Sequence, residues 1–297
     1  MRRVSQRIVI TGAAGGVGTL LRPRLARADR TLRLLDVAPV PEAAVGEDVE
    51  TVRLSVTDLP GMREALTGAD AVIHLGGLSV EGPWDEILDI NINGTRTVLE
   101  AARRAGVPRV IIASSSHAVG FHPRSEDEAP DYLFPRPDTY YGVSKVAAEA
   151  LGSLYHDRYG LDVVCVRIGG CFERPIATRQ LATWLSPGDC ARLMEALIAA
   201  PSPGFRVVWG VSDNTRRWFS LDEARALGYE PQDDAERFAG ELEGRHDPLD
   251  EIYLGGAFCS PSLDADDGAG DPADPHGAHD THDSHDSHDS HDTDTNA

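Results

Sequence analysis

Tyr141-Gly142-Val143-Ser144-Lys145 sets a phenol and an ammonium four residues apart, and in a helix that spacing puts them on one face. A phenol is a poor base at neutral pH, because its ordinary pKa is near 10. A neighbouring cation favours the phenolate, and a positively charged ring bound beside it adds to the effect. Lys145 is the only lysine among the 28 basic residues and the chain has seven tyrosines, so the spacing is a rare accident if it is one. Arginine, used everywhere else, keeps the charge but has a broad planar head and a different reach. Ser115 closes an apolar run and supplies a hydroxyl to hold a substrate oxygen, completing a base, its activator and an orienting donor. The bland alternative is a surface contact between two helix neighbours.

A second constellation lies near the start. The run Arg7–Thr11 leads into Gly12-Ala13-Ala14-Gly15-Gly16-Val17-Gly18, after which a helical pattern begins. Glycines at 12, 15 and 18 give a tight turn and a backbone that a pyrophosphate can approach, with a helix N-terminus aimed at its charge. Gly16 and Val17 complete that loop. Asp36 ends the second run, 18 residues beyond Gly18, where a carboxylate accepts from the adenosine ribose hydroxyls and repels a 2′-phosphate. This favours NAD over NADP; the competing role for Asp36 is to cap a turn.

These residues need a scaffold that brings strand ends together. Short apolar runs predict strands over Arg7–Thr11, Thr31–Asp36, Thr51–Val56, Ala71–Leu75, Arg109–Ser114, Asp162–Ile168 and Arg206–Trp209. Longer 3.6-period stretches predict helices over Val17–Arg27, Pro60–Leu66, Trp84–Ala105, Tyr141–Tyr159 and Pro187–Ala199. Apolar strands separated by helices argue for a parallel sheet covered on both faces. The expected fold is therefore a doubly wound, Rossmann-like α/β fold whose ligands sit beyond the carboxyl ends of the strands. Residues 1–170 form the NAD-binding core in this reading, and 171–263 a small substrate-binding cap packed on it.

The 297 residues carry a net charge of −20, but the average hides a split. From Asp264 to Ala297 there are 11 Asp and no Lys or Arg, so subtracting those charges leaves −9 for residues 1–263. The (His-Asp-Ser/Thr) repeat there fits neither helix nor strand period and has nothing to bury, so 264–297 is expected to be a disordered tail. His at every third residue of a flexible strand supplies no preformed metal geometry, and no metal site is expected. An acidic body lacks the basic face that nucleic acid needs. No apolar run reaches the ~18 residues of a membrane span, and Met1-Arg2-Arg3 is not followed by a signal-peptide core. Cys165, Cys171, Cys190 and Cys259 show no metal or redox spacing, so reduced thiols in a cytoplasm are expected.

Thr11-Gly12-Ala13-Ala14-Gly15, Asn91-Ile92-Asn93-Gly94-Thr95 and Tyr141-x-x-x-Lys145 together resemble the extended short-chain dehydrogenase/reductase family. More narrowly, the chain resembles the uronate dehydrogenases, in His74–Glu81, Ala113–His117, Val166–Cys171, Thr183–Ser186 and Val207–Gly210. The resemblance spans most of residues 6–260 and leaves the tail without a counterpart. It implies NAD-dependent oxidation of a hexuronic acid at the anomeric carbon, giving an aldarolactone. Tyr141 would take the C1 hydroxyl proton, Ser115 would hold the reacting oxygen, and Lys145 would bind the nicotinamide ribose and polarise Tyr141. Ser79, Ser115, Ser116, His117, Tyr141 and Arg179 match substrate-contacting positions, Arg179 being suited to a carboxylate through its planar fork. Leu75, Gly76, Gly77, Asn91 and Cys171 match cofactor-contacting positions.

Three residues depart from the family pattern. Ser116 stands where an asparagine is usual, Gly170 where a substrate-binding serine is usual, and Ser55 where an aspartate commonly meets the adenine, leaving the Val56 backbone to serve. The first two alter the sugar pocket. Relatives with a stretch like Val211–Asn214 and Leu227–Tyr229 oxidise glucose 6-phosphate, which is the alternative substrate. A nucleotide-sugar epimerase or dehydratase would need a larger second lobe than 171–263 provides, and a non-catalytic NAD sensor would not need Ser115, Tyr141 and Lys145 together. A homo-oligomer is compatible with all of these readings.

Overall fold

The computed structural model describes residues 5–263 apart from positions 126, 243, 245, 246 and 262. The expected disorder of 264–297 lies outside the described residues. Seven strands form one all-parallel sheet in the order β3-β2-β1-β4-β5-β6-β9. They are β1 (Gln6–Thr11), β2 (Arg30–Asp36), β3 (Val49–Arg53), β4 (Ala71–His74), β5 (Arg109–Ser115), β6 (Asp162–Ile168) and β9 (Phe205–Gly210). Two-residue strands β7 (Gly170–Cys171) and β8 (Trp184–Leu185) pair separately. The order reverses between β1 and β4, and the crevice at their carboxyl ends is the ligand position of a doubly wound sheet. The fold is Rossmann-like, as the alternation of runs predicts.

Helices cover both faces. On one side α1 (Gly16–Leu25) and α7 (Pro187–Ala199) bury Leu21, Leu25, Leu193 and Met194 against Ile8, Ile10, Leu34 and Val164. On the other, α2 (Leu59–Ala65), α4 (Gly94–Ala105) and α5 (Tyr140–Tyr159) bury Met62, Val98, Ala102 and Tyr155 against Val9, Val72, Val110 and Val163. This two-sided burial explains why the strands read as unbroken apolar runs. Residues 171–263 extend these layers through α7 and β9, and the remainder, α6 (Gln180–Thr183), α8 (Asp222–Ala226) and several 3₁₀ turns, packs at the sheet's end.

Two predicted elements differ from what is observed. The third strand stops at Arg53, because Ser55 turns the chain by accepting from the Thr57 amide and, through its carbonyl, the Asp58 amide. The helix predicted over Trp84–Ala105 is interrupted. A short α3 (Trp84–Glu86) runs into a π-helical stretch, Ile87–Asn93, before α4 begins. The wide turn frees Asn91, whose side chain brackets the Leu78 backbone by accepting from its amide and donating to its carbonyl. Such turns are held by side chains that compete with the helix ladder, and here Thr95 donates to the Asn91 carbonyl at 2.6 Å.

Candidate active site

The first turn is built by close approach. Gly12 has φ +68°, and a Cβ there would lie 2.6 Å from the Gly76 amide nitrogen on the neighbouring β4 turn. A Cβ on Gly18 would lie 2.5 Å from the Gly12 carbonyl, so α1 sits directly on the loop only because it begins with glycine. A Cβ on Gly15 would lie 3.3 Å from the same carbonyl, but Gly16 is different. A Cβ at Gly16 would meet nothing within 4 Å, and no side chain caps the first turn of α1. That open cradle, with its uncapped amides, fits a pyrophosphate. Asp36 ends β2 beside it and accepts from the Ala14 amide at 2.9 Å and the Ala38 amide at 2.9 Å. Both roles considered for this carboxylate are therefore compatible: it fastens the loop and keeps lone pairs for a ribose.

Ser115, Tyr141 and Lys145 come together at the carboxyl edge. Ser115 is the last residue of β5; its hydroxyl accepts from the His117 amide at 3.2 Å and lies close enough to the Tyr141 phenol to favour its ionised form. The Lys145 ammonium lies 5.1 Å from the centroid of the Tyr141 ring and donates to the Ala113 carbonyl at 2.9 Å. Burial pushes the Tyr141 phenol up to about 12; the Ser115 hydrogen bond opposes this and the Asp138 charge adds to it. Burial also pushes the Lys145 ammonium down to about 8. Asn91 donates to the Ser144 hydroxyl, which donates to the Tyr141 carbonyl, tying the β4 loop to the catalytic-type helix.

His74 is a core residue, as a strand histidine should be. Burial pushes its pKa down to about 3, so the ring is neutral. Thr95 spends its own proton on Asn91, so His74 Nε2 donates to Thr95 and Nδ1 accepts from Thr11. His117 instead lies at the site. Its Nδ1 meets the Asp138 carboxylate at 2.7 Å, its ring edge meets Tyr141, and Phe258 stacks on it at 4.0 Å. The Ser116 hydroxyl is buried with no partner, a group waiting for an acceptor or donor. Ser79 is exposed on the β4 loop, and Leu75, Gly76 and Gly77 line its base. Val56 packs against Gly76 and Gly94. Ser55 is spent on its own turn, its hydroxyl 2.9 Å from that of Thr57.

At Gly170, on β7 next to buried Cys171, a Cβ would lie 3.2 Å from the Phe172 ring, so a serine there would need that ring to shift. Arg179 is held by a contact to the Leu254 carbonyl, by Asp250 at 3.5 Å and by the Trp218 ring at 5.0 Å. Its burial lowers its pKa. Its guanidinium and the Asp138 carboxylate lie against the adjacent Gly256 and Gly255, which brings Arg179 beside the His117–Tyr141 cluster.

Sequence reasoning missed Glu81, Asp138 and Phe258. Glu81 accepts from the Tyr140 amide at 3.1 Å and the Tyr141 amide at 2.7 Å, capping α5 together with Thr139. The capping role of Thr139 was visible, since a threonine directly before a helix start is a capping pattern, but nothing there signalled that Asp138 pairs with His117. Nothing in the sequence pairs Glu81 with Tyr141 or Phe258 with His117.

A family model described as the NAD dependent epimerase/dehydratase family matches residues 8–217. The uronate dehydrogenase of Pseudomonas syringae pv. tomato is 43% identical over 257 residues, 85% of this chain and 92% of that protein. Among solved structures, a glucuronic acid dehydrogenase from Chromohalobacter salexigens superposes with a TM-score of 0.82 at 40% identity, covering 89% of this chain and 99% of that one. A point mutant of the Agrobacterium tumefaciens uronate dehydrogenase, complexed with NAD, gives 0.80 at 38% identity, covering 86% and 97%.

Proposed function

This chain belongs to the NAD dependent epimerase/dehydratase family, and from that premise we propose that it oxidises a hexuronic acid at its anomeric carbon, with NAD, to an aldarolactone. The convergence of Ser115, Tyr141 and Lys145 at the carboxyl edge of the sheet carries the reading, supported by its likeness to uronate dehydrogenases. In this reading residues 1–170 hold the cofactor and 171–263 close the sugar pocket. NAD, when bound, supplies the acceptor for the electron pair that leaves C1 with its hydrogen. The open glycine cradle and Asp36 would hold its pyrophosphate and adenosine ribose, and Lys145 its second ribose.

Tyr141 takes the C1 hydroxyl proton as the C1–H bond breaks and the C1–O bond becomes a carbonyl. Ser115 holds the reacting oxygen in line with the phenol. Lys145 stabilises the phenolate, and its contact with the Ala113 carbonyl fixes its reach. His117, with Nδ1 committed to Asp138, presents Nε2 toward the sugar, and Ser116 offers its unpartnered hydroxyl. Arg179 is the cation for the sugar carboxylate. Four free thiols suit a reducing compartment such as the cytoplasm. Among the described residues no helix is long and apolar enough to cross a membrane.

The test is a substrate panel. Purified protein with NAD should reduce the cofactor with galacturonate or glucuronate and give at least tenfold lower kcat/KM with glucose. Turnover of glucose 6-phosphate without turnover of either uronate would overturn the assignment.

A further inference from the structure

A cavity of about 470 Å³ opens beside Arg179, with Arg124, Arg216, Trp218, Asp250 and Glu251 also on its wall. Its size lies in the range of about 300–1,000 Å³ that suits small-molecule ligands. Arg124 reaches it along the loop that leaves β5 through Ser115, Ser116 and His117, and that loop is pinned by the Arg124 amide donating to the Ile252 carbonyl at 2.8 Å. The Arg124 guanidinium carbon sits 4.1 Å from the centroid of the Trp218 ring, and Arg179 approaches the same indole at 5.0 Å. Two cations therefore share one ring.

Among the described residues the charges do not cancel evenly. Arg216 is gripped by both oxygens of Glu236 at 2.7 Å each. Arg179 has Asp250, but only at 3.5 Å. Arg124 has, among the described residues, no carboxylate within ion-pair distance, only a 3.5 Å contact to the Asp250 carbonyl. Glu251 stands exposed, where water screens it. Arg124 Nε is buried without a hydrogen-bond partner, and Arg179 Nη1 is buried with only the 3.5 Å ion pair to Asp250. Buried donors rarely go unpaired in native proteins, and an unsatisfied charged donor costs more than a neutral one. Both arginines also line the cavity, so an anion entering it meets two cations on one wall, whereas a neutral hydroxyl leaves their charge unoffset.

We propose that Arg124 and Arg179 form a two-arginine clamp for the carboxylate of the sugar acid, with Trp218 holding both guanidinium groups. This rests on the uronate reading above, in which Arg179 alone was assigned that role. The clamp explains why Arg179 can bind an anion while Asp250 stands beside it: the positive charge in excess comes from Arg124.

The experiment is calorimetric titration of the full chain, saturated with NADH, using D-galacturonate and D-galactose. The two share a ring and differ in the carboxylate. Wild type should bind the uronate at least about tenfold more tightly. Arg124→Gln, which keeps the stem and one donor group but loses the charge, should reduce that ratio by about tenfold, and Arg124→Lys should hold it within about threefold. The thermal midpoint and NADH affinity of each variant show whether it is folded. An unchanged ratio in Arg124→Gln overturns the clamp, and so does an equal loss for both sugars, which would make Arg124 a packing residue on Trp218. Wild type that prefers neither sugar also overturns it. Selective binding without any oxidation would instead sink the proposed function and leave the clamp standing.

Discussion

Asp36→Ala tests the cofactor assignment and the loop geometry in one substitution. The side chain accepts from two backbone amides, Ala14 in the glycine loop and Ala38 beyond the strand, both at 2.9 Å. A hydrogen bond to a charged group contributes about 1.5–3 kcal/mol; the Ala38 bond is exposed and deserves a heavy discount. Net destabilisation should be about 1.5–3 kcal/mol, which at about 2–4 °C per kcal/mol lowers the thermal midpoint by about 3–12 °C. Losing the ribose acceptor should add a comparable term to NAD binding alone, raising its KM by about 10–100-fold. The KM for NADP should fall, because the carboxylate no longer repels a 2′-phosphate. Initial rates with both cofactors, beside thermal melts, separate the two roles. A lowered midpoint with an unchanged NAD KM would show that Asp36 serves only the turn. Wild type that already prefers NADP would refute the reasoning outright.

Tyr141→Phe keeps the ring that His117 and Lys145 pack against and removes only the hydroxyl, so kcat should fall by about 10²–10⁴-fold with NAD binding unchanged; a rate within tenfold of wild type would remove the phenol as base. Glu149→Ala strips the partner from Arg167, whose side chain is 3% exposed and which Glu149 holds through two bonds of 2.8 Å, so urea unfolding should show a loss of about 3–5 kcal/mol, and less than 1 kcal/mol would contradict the burial argument. Lys145→Met probes pH. Burial lowers the folded ammonium from 10.5 to about 8, so below pH 8 the chain carries the full cost of burying a cation, and between the two values the unfolded state binds more protons. Without cofactor the methionine variant should therefore be more stable than wild type at pH 7, and its advantage should shrink from about pH 8 to 10.5; a constant difference would count against the shift.

The sheet was legible because its chemistry is repetitive. Ile8-Val9-Ile10, Val72-Ile73 and Val163–Val166 are buried from both faces, so each run is apolar throughout and ends where the burial ends. The glycine turn and the Tyr141–Lys145 pair were legible because their spacing is local. What stayed hidden depends on contacts across long stretches of chain. Glu81 caps a helix 60 residues away, and Phe258 covers His117 from the far end of the fold. The π turn at Ile87–Asn93 could not be read from periodicity, since Asn91 widens the helix in order to bracket Leu78. The described residues of 212–260 form 3₁₀ turns and one five-residue helix, too short to leave a hydrophobic period. That is why Trp218 and Asp250 carried no signal beside Arg179, and Arg124 sits in an irregular loop after β5 that has no period either.

Burial acts in opposite senses on the two central groups, raising the Tyr141 phenol to about 12 and lowering the Lys145 ammonium to about 8. Both shifts oppose a phenolate at neutral pH. In the proposed mechanism the site is therefore arranged in geometry before it is ready in charge, and conversion of Tyr141 to a base would depend on the positive charge of a bound nicotinamide. Asp138 sharpens the conflict. Its carboxylate raises the phenol further while it fixes the proton of His117 on Nδ1. An amide at that position would spare the phenol this charge, yet it could present either its oxygen or its NH₂ to the ring and so would not specify the tautomer. In the proposed mechanism the carboxylate thus costs the phenol some acidity and in exchange holds the His117 ring in one orientation, with Nε2 turned away from Asp138. In that mechanism this arrangement favours orientation of the substrate over ionisation of the base, and a bound nicotinamide would bring the charge that the polypeptide withholds.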